Sequence, residues 1–100
     1  MPRAAVPRPP LDAPAKREQA KLLVEFGAVL RACRNDRDLS LESTADAAGV
    51  HPNYLGEVER GKRNISLFNI WRLAGALDLP ASTLLERLPK RKAKPAVPNG

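Results

Sequence analysis

The stretch from Ser40 to Gly61, SLESTADAAGVHPNYLGEVERG, leaves its backbone very few paths. Ser40 is an N-cap residue, and Leu41 to Ala48 follow it as a helix. Gly49 stands where the chain must leave that helix, a position that favours a positive φ. His51 then precedes Pro52, and proline suits the first position of a new helix because its missing N–H has no partner there. The second helix runs to Arg60 and ends at Gly61. Two helices meeting across so short a turn form a helix-turn-helix. Small Ala45 and Ala48 permit the close approach, while Leu55 and Val58 give the second helix an inward stripe.

The flanking segments supply the packing. Leu22, Phe26, Val29, Leu30 and Cys33 fall on one face of an amphipathic helix that starts near Lys16 and ends near Asn35 to Asp38. Cys33 on that face reads as a small core residue. Ser66 caps a fourth helix, Leu67 to Leu77, whose stripe is Leu67, Ile70, Leu73, Ala74 and Leu77. Pro80 opens a short fifth helix that reaches Leu85 or Leu88 before Pro89. The chain therefore reads as all-α, a compact domain of five helices.

The ends read differently. Five prolines within residues 1–15 argue against a helix and for an extended or disordered arm, either an unstructured leader or an arm for the minor groove or phosphates. The last residues, KRKAKPAVPNG, read as a mobile basic tail. The expected division is a Pro-rich flexible arm at 1–18, a domain at 19–88 and a basic flexible tail at 89–100. Within the domain the helix-turn-helix occupies 40–61 and the recognition helix 52–60.

Charge sharpens this picture. The net charge is +6, but residues 87–100 hold five cations and no acid, while residues 19–86 hold eight cations against nine acids. Any DNA-binding face on the domain must therefore be local, since total charge does not create it. One His, one Cys and no clustered carboxylates provide no nucleophile–base pair and no metal set, so no enzyme and no cofactor are expected. The lone cysteine suits a reducing compartment. No apolar run approaches the ~18 residues of a membrane span, and no leader-like apolar segment follows the N-terminal cations, so the cytosol is the expected location.

The second motif helix is the candidate reader of a DNA major groove. His51, Pro52, Asn53, Tyr54, Gly56 and Glu57 are its expected exposed positions. Asn53 can bond adenine through two atoms, and Glu57 can accept from cytosine N4. Tyr54 can pack on a thymine methyl or donate to a phosphate; His51 can touch a phosphate or act as a weak cap. Arg60, Lys62, Arg63 and Asn64 are candidate phosphate clamps, and Ser40 can add its hydroxyl at the start of the first motif helix.

These residues also resemble the Cro/repressor-type family, XRE-like and lambda-repressor-like, as found in restriction-modification controller proteins and small bacterial repressors. The resemblance rests on Leu39, Ser40, Glu42, Ala45, Ala48, Gly49 and Val50, then Tyr54, Leu55, Val58, Glu59, Arg60, Gly61, Arg63, Asn64, Ser66 and Leu67. It spans roughly residues 22 to 86. Three departures stand out: Leu41 where Gln is common, Thr44 where a core Leu is usual, and Ile65 where Pro often sits. Pro52 also replaces a hydrogen-bonding reader.

The resemblance implies a lambda-repressor-like fold and a transcriptional regulator on double-stranded DNA. It also implies an ion pair between Arg34 and Glu59 that ties the first helix to the recognition helix. Related proteins bind two half-sites about 34 Å apart, so a homodimer is expected. The expected seam is Leu79, Leu84 and Leu85, with Trp71 and Leu88, although Trp71 can equally cover the monomer core. A protein-interaction module such as an antitoxin, binding a partner protein first and DNA second, is the alternative reading.

Overall fold

The computed structural model describes residues 10–92, and within them the chain forms five helices. They are α1 (Ala13–Asp36), α2 (Leu41–Ala48), α3 (Pro52–Glu59), α4 (Leu67–Ala76) and α5 (Ala81–Leu85). Residues 1–9 and 93–100, and the expectations that fall on them, lie outside the described residues.

The helix starts follow local chemistry. Asp12 caps α1 by accepting from Ala15 N at 2.9 Å, Ser40 caps α2 from Ser43 N at 3.0 Å, and Ser66 caps α4 from Asn69 N at 3.1 Å. The α1 cap corrects an expectation. The helix begins at Ala13, inside the segment expected to be a flexible arm through residue 18. Pro14 does not break it, because the first helical turn has N–H groups without partners in any case.

Phe26, Leu30, Cys33, Ala45, Ala48, Leu55, Val58, Leu73, Ala74, Leu77 and Leu84 form the buried core. Leu22 and Leu67, expected on inward stripes, are exposed. Leu22 lies on the part of α1 that projects before Phe26, the first buried residue of that helix. Leu67 is the first residue of α4 and stands 74% exposed. Leu84 is the opposite correction: expected at a dimer seam, it is the residue of α5 that is wholly buried in the core. Pro80 opens α5 as expected, standing as its N-cap.

The tail does not leave the domain freely at residue 89. Arg91 Nε donates to Glu18 Oε2 at 3.0 Å, drawing the segment after α5 against the N-terminal half of α1. Both side chains are exposed, so this contact guides the chain more than it stabilises it.

Thr44 occupies a core position with 1% exposure, and its Oγ1 has no hydrogen-bond partner among the described residues. A buried hydroxyl without a partner carries a desolvation cost that an isosteric methyl does not. Thr44→Val is therefore expected to stabilise the protein by about 1 kcal/mol, measured as a shift in urea midpoint at unchanged slope.

Candidate nucleic-acid interface

The interface is built around the turn between α2 and α3. Gly49 adopts φ 73°, so the chain turns without a Cβ penalty, and its N–H bonds Asp46 O at 3.0 Å. Val50 N then bonds Ala45 O at 2.9 Å. A long-range contact completes the turn. Arg72 on α4 donates from Nε to Ala48 O at 2.8 Å and from Nη2 to Gly49 O at 2.6 Å. These carbonyls end α2 and lack helical partners, so the guanidinium both satisfies and positions them. Arg72 also lies over the Phe68 ring, 5.1 Å from its centroid.

His51 serves as the N-cap of α3, with Nδ1 accepting from Asn53 N at 3.0 Å. Of its two expected uses, the cap is the one made within the chain. Pro52, Asn53, Gly56, Glu57 and Arg60 share one face of α3 and line a shallow groove with Leu41. Gly56, expected to be exposed, is buried: a Cβ there would meet Arg60 Nη1 at 3.2 Å and Leu41 Cδ2 at 3.7 Å. Arg60 thus folds back along the reading face and does not extend into the following loop. Lys62, Arg63 and Asn64 are exposed beyond α3. Asn64 borders a second groove, with Leu22 and Leu23 of α1.

Behind this face the two motif partners are clamped to α1. Arg34 donates from Nε and Nη2 to the two Glu59 oxygens at 2.7 and 2.9 Å, and from Nη1 to Leu39 O at 2.9 Å. The side chains are 12% and 6% exposed, so this is a forked pair largely out of water. Hydrogen bonding to Glu59 holds the Arg34 guanidinium above its ordinary pKa, outweighing the lowering effect of burial.

Tyr54 turns toward α4, where its hydroxyl accepts from Asn69 Nδ2 at 3.0 Å. Arg63 sits over the Tyr54 ring at 5.7 Å and donates from Nη2 to Glu57 Oε1 at 3.1 Å. Ser40 Oγ is engaged locally, accepting from Ser43 N and donating to Ser43 Oγ at 2.9 Å. Sequence reasoning missed Arg72 and Asn69. A single arginine in LFNIWRLAGA, an otherwise uncharged helix, was the available signal.

On α4 an apolar ridge faces solvent. Phe68 and Trp71 stack with centroids 6.1 Å apart and stand 60% and 64% exposed, beside Leu67. Trp71 does not cover the monomer core. Of the other expected seam residues, Leu85 is exposed, whereas Leu79 and Leu88 are half-buried against the core.

A helix-turn-helix family model matches residues 30–84, more than half of the chain and all of α2, α3 and α4. The chain belongs to the helix-turn-helix family. It is similar to the control protein C.SmaI of Serratia marcescens, 41% identical over 58 residues that cover 58% of this chain and 69% of that protein. Among solved structures it resembles the restriction-modification controller protein C.AhdI from Aeromonas hydrophila. The TM-score is 0.61 at 48% identity, covering 62% of this chain and 94% of that one. The biofilm master regulator SinR, solved in complex with DNA, superposes with TM-score 0.57 at 31% identity, over 60% of this chain and 97% of that one. The expected five-helix fold is therefore met in both architecture and relatives. No helix among the described residues is long and apolar enough to cross a membrane.

Proposed function

We propose that this helix-turn-helix protein is a sequence-specific transcriptional regulator of the repressor or controller type, binding an operator as a homodimer. One observation carries the reading. The outer face of α3 aligns Pro52, Asn53, Glu57 and Arg60 along a solvent-facing groove, while the forked Arg34–Glu59 pair fixes that helix from behind. Such a helix can enter a major groove with Asn53 and Glu57 toward base edges. Arg60 and Lys62, with Ser40 and Asn64 at the margins, supply contacts to phosphates, and Tyr54 meets the adjoining strand. His51 acts as the cap that starts the reader. This work belongs in the bacterial cytosol, where the chromosome is.

The exposed ridge of Leu67, Phe68 and Trp71 supports self-association, with Leu79, Leu85 and Leu88 adjoining it. It equally suits a protein partner, which is the second reading. Sedimentation of the purified chain as a dimer assigns the ridge to a second copy; co-purification of a stoichiometric different protein assigns it to the partner.

Selection from random DNA by the purified chain, followed by binding at two salt concentrations, tests the main reading. Asn53→Ala is expected to weaken operator binding by about 1–3 kcal/mol and leave random DNA unaffected. Lys62→Ala is expected to weaken both alike and to lower the salt slope by about one. Equal losses on operator and random DNA for Asn53→Ala count against base reading.

A further inference from the structure

Glu57 poses a problem for a DNA-reading helix. Its carboxylate sits on the reading face and would approach a polyanion, where an unpaired negative charge is repelled. The structure answers this with three contacts in series. Asn69 of α4 donates to the Tyr54 hydroxyl, the Tyr54 ring supports the Arg63 guanidinium, and Arg63 donates to Glu57 Oε1. Among the described residues only one carboxylate oxygen is engaged, which leaves Glu57 Oε2 as an acceptor. A cytosine N4 amino group is the major-groove donor that such an oxygen fits.

We infer that Arg63 is a specificity-determining residue that orients and neutralises Glu57 for reading one cytosine, and that it is not chiefly a phosphate clamp. The inference rests on the reading of α3 as the groove-entering helix. The guanidinium matters here, since it lies over the Tyr54 ring, 5.7 Å from its centroid, while its Nη2 donates to Glu57 Oε1. Lysine keeps the charge and can reach either a ring or a carboxylate, but its compact ammonium lacks the planar fork that engages both at once in a fixed orientation.

The two roles separate by experiment. The full-length chain is bound to its selected operator and to operators substituted one base pair at a time, at two salt concentrations. Arg63→Lys is the deciding variant, with Arg63→Met and Glu57→Gln beside it. Positioning predicts that Arg63→Lys loses on the order of ten-fold in discrimination at a single base pair, with the salt slope unchanged. Glu57→Gln should lose discrimination at that same base pair, and the double variant should lose no more than Glu57→Gln alone. A clamp predicts near wild-type behaviour for Arg63→Lys. It predicts a uniform loss with a slope lower by about one for Arg63→Met, and that pattern overturns the inference. Arg63 is exposed, and unchanged thermal unfolding of each variant keeps the comparison on binding. If the wild-type chain prefers no sequence at all, the regulator reading falls and this inference falls with it. If it selects an operator and Arg63→Lys discriminates normally, only the inference falls.

Discussion

Glu59→Ala is expected to cost about 3 kcal/mol of folding stability and to abolish operator binding at concentrations that saturate the wild type. The reason lies in what remains. Arg34 directs three donors at Glu59 and at the Leu39 carbonyl, and the pair is largely shielded from water. Removing the carboxylate leaves a largely buried guanidinium without its counter-charge, and that residual charge accounts for most of the cost. A domain of this size holds only about 5–10 kcal/mol in total, so a sizeable fraction of its stability goes.

Two companion variants isolate the cause. Arg34→Lys should also be costly, because an ammonium cannot make the forked contact and still reach Leu39 O. The double change of Arg34 and Glu59 to Met should cost less than Glu59→Ala alone, because both charges leave together. Urea denaturation measures all three. A cost below about 1 kcal/mol for Glu59→Ala would mean that the pair behaves as an exposed one and does not anchor the reading helix.

What the sequence revealed was what is local. Ser40, Gly49, Ser66 and Gly61 punctuate helices through neighbours three to five residues away, so residue type alone located the turns. Periodicity was weaker, because it names the face of a helix and not how far the opposing helix extends. Leu22 and Leu67 lie on the correct stripes but beyond the region where a neighbour covers them. Pro14 misled for a related reason: a proline is a breaker only after the first turn, and α1 places it within that turn. Leu84 was assigned outward because a five-residue helix is too short to display a period. The site divides in the same way. The residues of α3 followed from their spacing, and the Arg34–Glu59 pair, 25 residues apart, came from family resemblance. Arg72 and Asn69 reach across 24 and 15 residues to the turn and to Tyr54, and no pattern in one sequence encodes such partners.

Gly27→Ala is expected to destabilise the protein by about 2–3 kcal/mol, against the intrinsic preference of a helix for alanine, which favours the change by ~1 kcal/mol. The steric effect decides the sign. A Cβ at position 27 would point into the backbone of α3 near the Glu59 carbonyl, 2.5 Å from Val58 O and 2.7 Å from Glu59 C. These are main-chain atoms at the end of a helix, so no side-chain rotation relieves the clash. The helices must separate instead, and separation stretches the fork between Glu59 itself and Arg34, about two turns along α1 from Gly27. Gly75→Ala provides the control on the same chemistry. Gly75 lies exposed in α4 with nothing within 4 Å of an added Cβ, so there the substitution should stabilise by about 0.5–1 kcal/mol. Opposite signs for one substitution at two helical glycines, read from urea midpoints, would establish that α1 and α3 touch backbone to backbone. Matching signs would show that the α1–α3 contact can relax, and the rigid mounting of the reading helix would go with it.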